Sequence, residues 1–313
     1  MNILITGGAG FIGSNFCHYY YNEKDNFVVL DALTYAGNLA FINDLLDRPN
    51  FKFVQGNIAD EELVDKLFAE ENFDIVINFA AESNVDTSVI NPQIFIDSNI
   101  TGVRVLLDAC KKYKVGKYHQ VSTDEVYGEL LNKSGQFYED SPLKPNNPYS
   151  ITKASADLLV LSYHKIFGIH TTISRCSNNY GRFQHYEKYI PKCIRHVLNN
   201  ENVFVHGDGQ NIRDWVNVLD HCQGIAKIIS CGRAGEVYNI GSNNEKTNLE
   251  IAELILSTMK GHTSQVEFIK DRPTNDKRYS INYDKISKEL GYAPLYNFEN
   301  CFDDIVNWYV DNM

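Results

Sequence analysis

The sequence lacks the patterns that would tie it to a metal, a membrane or a disulfide framework. Its seven cysteines (Cys17, Cys110, Cys176, Cys193, Cys222, Cys231 and Cys301) are odd in number and scattered, without a C-x-x-C pair. That is the usage of reduced thiols in a cytoplasmic protein. None of the nine histidines stands in an H-x-x-x-H or H-E-x-x-H arrangement, so no metal site is expected. No apolar run approaches membrane-spanning length, and the opening Met1-Asn2-Ile3-Leu4-Ile5-Thr6 has neither the basic start nor the long apolar stretch of a secretion signal. A cytoplasmic location is expected. Lys and Arg number 29 against 40 Asp and Glu, for a formal charge of −11 without any basic block, which argues against nucleic acid or an anionic membrane as partner. An anionic ligand would have to be held by a few locally placed basic side chains.

What is present is alternation. Short β-branched or aromatic runs at 2–6, 27–31, 51–54, 74–79, 117–122 and 171–175 are separated by segments of helical spacing such as 61–70, 94–113 and 150–167. Strands alternating with helices predict βαβ units and an α/β fold with a doubly wound parallel sheet. The stretch 131–148, rich in Gly, Pro, Asn and Ser, reads as a loop. After residue 178 the alternation becomes irregular, with a helix near 190–199, a strand at 203–206 and a last helix near 298–311. A smaller C-terminal substrate-binding domain is expected there.

Gly7, Gly10 and Gly13 fall in Gly7-Gly8-Ala9-Gly10-Phe11-Ile12-Gly13, between the first strand and the first helix. Missing side chains let backbone amides approach a pyrophosphate, whose charge the helix N-terminus then stabilises, which makes the fold Rossmann-type. Asp31 ends the next strand where a carboxylate would meet a ribose 2′-hydroxyl and repel a 2′-phosphate, so NAD is expected over NADP. The alternative for Asp31 is a turn or helix cap. Asn57 and Ile58, and Ala80-Ala81-Glu82-Ser83, stand at later strand C-termini, the ligand side of such a sheet.

Tyr149 and Lys153 sit four residues apart at the start of a helix, hence on one face. A nearby cation favours the phenolate and oxidised nicotinamide adds positive charge, so Tyr149 would accept a proton from a hydroxyl; a half-buried Tyr and a solvated Lys are the alternative. Thr123-Asp124-Glu125 follow another strand. Paired carboxyl groups are what an elimination needs, one to give a proton and one to take one, but only if the backbone turns sharply at Thr123 so that both reach one substrate. Ser122-x-x-Glu125 is equally a helix capping box.

Taken together, GGAGFIG, LDALTYAGNL, AAES, STDEVYG, YSITK, CSNNYG, IRDW, YNIG and DRP-x-x-D-x-RY resemble, over essentially the whole chain, the extended short-chain dehydrogenase/reductase family and within it the dTDP-glucose 4,6-dehydratases. The resemblance implies that Thr123 bonds the sugar 4-oxygen and Tyr149, with Lys153, acts as base while hydride passes from C4 to NAD. Glu125 then removes the C5 proton, Asp124 protonates the departing 6-hydroxyl, and hydride returns to C6. It further implies cofactor contacts at Phe11, Ile12, Leu33, Thr34 and Asn178. Substrate contacts are implied at Glu82, Ser83, Asn179, Lys188, Val205, His206, Arg213, Asn248, Arg272 and Asn275. Arg213 and Arg272 suit phosphate because a guanidinium forks onto its oxygens; the alternative for each is a structural ion pair with a nearby Asp such as Asp214 or Asp271.

The expected division is 1–178 with 214–241 for NAD and 179–213 with 242–313 for substrate. Departures from the family pattern, at Asn57, at Asn84 and Thr87, at Phe204-Val205-His206-Gly207 and at Thr274-Asn275, spare the acid, base and hydride positions but touch the nucleotide side. Thymidine is favoured by overall likeness, with a uridine or other diphosphate sugar as the alternative. A nucleotide-sugar 4-epimerase or other oxidoreductase is the competing enzyme class, and an NAD-binding regulatory module the non-enzymatic one. Relatives pair helices like 94–113 and 150–167 into a dimer, so a homodimer is expected.

Overall fold

In the computed structural model the described residues are 1–131, 134–272 and 275–313. Asn132 and Lys133 of the expected loop, and Thr274, therefore lie outside them. The apolar runs form strands β1 (Asn2–Thr6), β2 (Asn26–Asp31), β3 (Phe51–Gln55), β4 (Ile75–Asn78), β5 (Lys117–Thr123) and β6 (Thr171–Cys176). The shorter strands β7 (Asn178–Tyr180), β8 (Val203–His206), β9 (Ile212–Asn217), β10 (Glu236–Ile240), β11 (Glu245–Thr247) and β12 (Val266–Ile269) follow.

Seven strands make one parallel sheet in the order β10-β6-β5-β4-β1-β2-β3. Both faces are covered, which is why β1 and β4 are buried almost throughout. Helices Phe11–Tyr20 and Val218–Cys231 pack one face around Phe16, Cys222 and Ile225. Helices Glu61–Glu71, Val103–Tyr113 and Pro148–Phe167 pack the other around Leu67, Leu106 and Val160. Strand order reverses between β1 and β4, and the crevice at that reversal, at the strand C-termini, is where an open sheet of this kind accepts ligands.

A third core, centred on Ile194, Val205, Trp215, Ile255 and Phe302, joins helices Tyr189–Leu198, Asn248–Thr258 and Phe298–Asn312 to β8. Beside it stand a β11-β9-β7 sheet and a β12-β8 pair, which overhang the crevice. The segment read as one helix over 94–113 is helical but interrupted. Pro92–Ile96 is followed by a π-helical widening at Asp97–Gly102 before Val103–Tyr113, and such widenings re-aim side chains. Here the widening carries Asn99, whose amide bonds both the N–H and the carbonyl of Glu82 (2.9 and 3.0 Å) and so fixes the chain after β4.

Candidate functional site

The first helix begins at Gly10, which has no side-chain cap among the described residues, so its first amides remain available toward the crevice. Gly7 has φ +69°, and a Cβ on it would lie 2.6 Å from the Ala80 amide nitrogen. One on Gly13 would lie 2.2 Å from the Gly7 carbonyl oxygen. Close backbone approach, rather than a turn alone, demands glycine at both positions. Asp31 accepts hydrogen bonds from the amides of Ala9 (2.9 Å) and Leu33 (2.8 Å). It thus caps a turn and still borders a cavity with Gly7, Gly10, Thr34, Asn57, Ile58, Ala80, Ala81 and Glu82. A carboxylate has lone pairs for both tasks. Burial pushes the Asp31 carboxyl up, opposed by those two amides. Leu33, by contrast, takes φ +51° and packs its side chain against the sheet core instead of lining the cavity.

The same glycines also border a second cavity, which continues past Phe11, Ile12, Ser83, Thr123, Glu125, Tyr149, Lys153, Asn178 and Lys188. Its floor is the end of β5. Thr123 is still extended (φ −139°, ψ 154°), and the next residues turn at once into a 3-10 helix, Asp124–Tyr127. The sharp exit that the acid pair requires is therefore present. Its cap is the Thr123 hydroxyl, which accepts from the Glu125 amide at 3.2 Å. The buried Ser122 hydroxyl has no partner among the described residues, so the Ser122-x-x-Glu125 capping box does not form.

The turn separates the two acids by depth. Glu125 opens into the cavity, whereas Asp124 lies under its floor, 2% exposed and absent from the lining. One Asp124 oxygen accepts from the Thr123 hydroxyl at 3.4 Å, and the other is buried with no partner among the described residues. Burial drives the Asp124 carboxyl well above the usual range, with the charges of Glu125 and Asp214 adding to it. Glu125 is raised by burial too, but Arg213, Lys188 and the Asn147 amide oppose the shift.

Helix Pro148–Phe167 supplies Tyr149 and Lys153. Its capping box pairs Asn147 with Ser150, and the Asn147 amide also reaches Glu125 at 3.5 Å. Lys153 is buried and donates to the Val121 carbonyl at 2.7 Å; burial lowers its pKa. The lowering expected of the Tyr149 phenol is not supplied by the chain's own groups. Burial holds it well above its usual value, and the charges of Glu125, Cys176 and Asp124 add to this against a Thr123 hydrogen bond. Burial is the largest of these causes, and the Lys153 ammonium donates to the β5 backbone.

A third cavity shares Glu125, Asn178 and Lys188 with the second and runs to His206, Arg213, Asn248, Arg272 and Asn275. Arg213 lies 4.4 Å over the Tyr279 ring, while Asp214 is bonded to Ser177, Ser242 and Asn244, so the Arg213–Asp214 pair does not form. Arg272 pairs with Asp86 across the cavity at 3.1 Å rather than with Asp271. Lys188 reaches the Ser83 carbonyl at 3.0 Å and hydroxyl at 3.4 Å. Glu82 is raised by burial and by Glu187.

A second expected contact needs correction besides Leu33. Val205 is fully buried in the third core, because β8 alternates and it is Phe204 and His206 that face the cavity. Asn179 borders the second cavity, where its amide nitrogen donates to the Ser177 carbonyl (3.0 Å) and its oxygen bonds His221 Nδ1 (3.0 Å). Residues the sequence reading passed over include Asn99, Asn147, Glu187 (which holds Asn84 at 2.6 Å), Trp215 and Tyr279. Only Asn147 had a legible signal, as an N-cap before Pro148.

The comparisons agree with this geometry. The chain is 48% identical over 311 residues to the low-salt glycan biosynthesis protein Agl12 of Haloferax volcanii, covering 99% of each. It is 44% identical to a dTDP-glucose 4,6-dehydratase of Actinoplanes, covering 100% of this chain and 98% of that one. It superposes on the crystal structure of DesIV, a dTDP-glucose 4,6-dehydratase from Streptomyces venezuelae with NAD and TYD bound. The TM-score is 0.95 at 42% identity, over 100% and 98% of the two chains. The family model for GDP-mannose 4,6 dehydratase matches residues 4–305. Glycine cradle, Tyr149/Lys153 helix and acid-bearing turn thus stand in a chain that belongs to the GDP-mannose 4,6 dehydratase family.

Proposed function

We propose that the chain converts dTDP-glucose, or a closely similar nucleoside-diphosphate hexose, to its 4-keto-6-deoxy derivative, with NAD held throughout. The observation that carries this reading is the opening of Thr123, Glu125, Tyr149 and Lys153 onto one cavity, with Asp124 directly beneath. That cavity lies between the glycine-edged one and the Arg-lined one. Identity of 40–44% to dTDP-glucose 4,6-dehydratases over the whole chain supports it.

The glycine cradle fits a pyrophosphate because any Cβ there would strike backbone, and Asp31 fits the ribose next to it. Bound there, NAD supplies the acceptor and later the donor of the C4 hydrogen. As a phenolate, which Lys153 together with the positive charge of oxidised nicotinamide would favour, Tyr149 takes the 4-hydroxyl proton, with Thr123 orienting that oxygen. Glu125 removes the C5 proton and later returns one that has exchanged with water. Asp124 gives its proton to the departing 6-hydroxyl, which leaves as water. Arg213, Arg272 and Asn248 hold the diphosphate and nucleoside, which requires Arg272 to leave Asp86. The protein is to be incubated with dTDP-, UDP- and GDP-hexoses and assayed for a 4-keto product. The reading expects dTDP-glucose to be turned over fastest, and no product from any of them contradicts it.

We place the cofactor on 1–178 with 214–241 and the substrate on 179–213 with 242–313; β10 in the main sheet and the third core support this division. No helix among the described residues is long and apolar enough to cross a membrane, and the free cysteines support a cytoplasmic location. We also propose a homodimer formed through helix Pro148–Phe167. Its outer face exposes Ile151 (48%) and Leu158 (59%), beside Ile90 (84%). Light scattering is expected to give twice the chain mass, falling to one chain mass in Leu158→Glu. A native monomer removes the proposal.

A further inference from the structure

Elimination of water across C5 and C6 needs the two adjacent carboxyl groups in opposite states at one pH, Asp124 carrying a proton and Glu125 without one. Chemically the pair is nearly symmetric. They differ in depth, Asp124 being the more deeply set, and in the charges each faces; β9 contributes to the second difference.

β9 alternates, so Arg213 and Asp214 point to opposite sides. The Arg213 guanidinium lies over Tyr279 in the cavity that Glu125 lines. Asp214 points the other way and is 1% exposed. The Ser177 hydroxyl (2.6 Å) and the backbone amides of Ser242 (3.1 Å) and Asn244 (2.6 Å) donate to it, while the Ser242 hydroxyl, which also faces the Trp215 carbonyl at 2.7 Å, stands beside it at 3.2 Å. The seat is closed, since a Cβ on Gly241 would lie 2.8 Å from one of its oxygens.

The sheet register brings this fixed anion to Asp124. Cys176 pairs with Thr123 across β6 and β5, so the next residue on each chain is Ser177, which holds Asp214, and Asp124 itself. The charged and titratable groups facing Asp124 are Glu125 on its own turn, Tyr149, Cys176 on β6, and Asp214 with Arg213 on β9. Those facing Glu125 are Asp124 on its own turn, Arg213, Lys188 and Asp276, with Tyr149 and Tyr279.

We infer that the consecutive residues Arg213 and Asp214 sort the acid from the base: Asp214 is a positioning residue that keeps Asp124 protonated, and Arg213 keeps Glu125 a carboxylate. The inference deepens the dehydratase reading and rests on it. Each state follows from the sign of the neighbour. A clamped anion disfavours a second negative charge on Asp124, while a guanidinium in the cavity favours one on Glu125. Because one strand carries both, the sorting is built into the backbone rather than into the acids.

The test is the pH profile of kcat for 4-keto product with saturating dTDP-glucose, between about pH 5 and 10. Its acidic limb follows Glu125 and its alkaline limb Asp124. Asp214→Asn is expected to move the alkaline limb down by about one pH unit or more, because Asp124 loses its proton earlier once the anion is gone. Arg213→Gln moves the acidic limb up by a similar amount. Should Asp214→Asn not fold, Ser177→Ala, which removes the 2.6 Å hydroxyl donor to Asp214, shifts the alkaline limb in the same direction by less. A loss of equal factor at every pH, or limbs that stay in place in the variants that fold, overturns the sorting and leaves Asp214 a structural clamp. Absence of any 4-keto product from the unaltered protein is a different failure, that of the dehydratase reading itself.

Discussion

Glu125→Gln is expected to keep its bound NAD and yet lose C5 proton exchange, with product formation falling about 10²–10⁴-fold, the usual contribution of a placed proton-transfer group. The substitution keeps shape, and it keeps an oxygen to accept from Asn147, which caps the Tyr149 helix. What it removes is the basic carboxylate beside Arg213 and Lys188. Because Tyr149 and Lys153 are untouched, the variant stalls after C4 oxidation, and reduced cofactor accumulates as absorbance near the usual dihydronicotinamide band. Nuclear magnetic resonance of substrate in deuterated buffer reads the exchange directly. Exchange at the native rate would remove Glu125 from the role of base.

Gly13→Ala is expected to strip the protein of its cofactor. The new methyl would stand 2.2 Å from the Gly7 carbonyl oxygen and 2.9 Å from Gly8 Cα, and neither has room to retreat. Gly7 is tied to the Leu30 carbonyl at 2.9 Å and already crowds Ala80. Relief must come from shifting the glycine turn against the helix Phe11–Tyr20, which spoils the surface the pyrophosphate needs. Overpacking of this kind costs about 1–3 kcal/mol, visible as a lowered denaturation midpoint. A purified variant that carries as much NAD as the unaltered protein contradicts this account of the cradle.

The parallel strands were legible because burial on both faces demands continuous apolar runs, as in Ile3-Leu4-Ile5 and Ile75-Val76-Ile77. The strands beside the crevice were not, for a matching reason. β9 puts Arg213 into a cavity and Asp214 into a polar clamp, and β11 is Glu245-Lys246-Thr247 with no apolar residue. Helix Val218–Cys231 and strand β10 escaped notice within this irregular part, although both pack with the main sheet.

Spacing identified the glycines and the Tyr149/Lys153 pair because each motif is local. The depth of Asp124 is set by one turn after β5, and the side of β8 that Val205 occupies by the phase of a four-residue strand. The commitment of Asn179 depends on His221, 42 residues away, and that of Glu82 on Asn99 in a helical widening. These are tertiary facts, and a local pattern does not carry them. The same holds for the Tyr149 phenol, whose burial and acidic neighbours only the packed structure sets.

The central claim is that one hexose is oxidised at C4, loses water across C5 and C6, and takes its own C4 hydrogen back at C6. dTDP-glucose carrying deuterium at C4, turned over in ordinary water, is predicted to give a 4-keto-6-deoxy product with that deuterium at C6 and with solvent hydrogen at C5. Deuterium found back at C4 of an intact 6-hydroxy sugar would show epimerase-type chemistry and contradict the elimination.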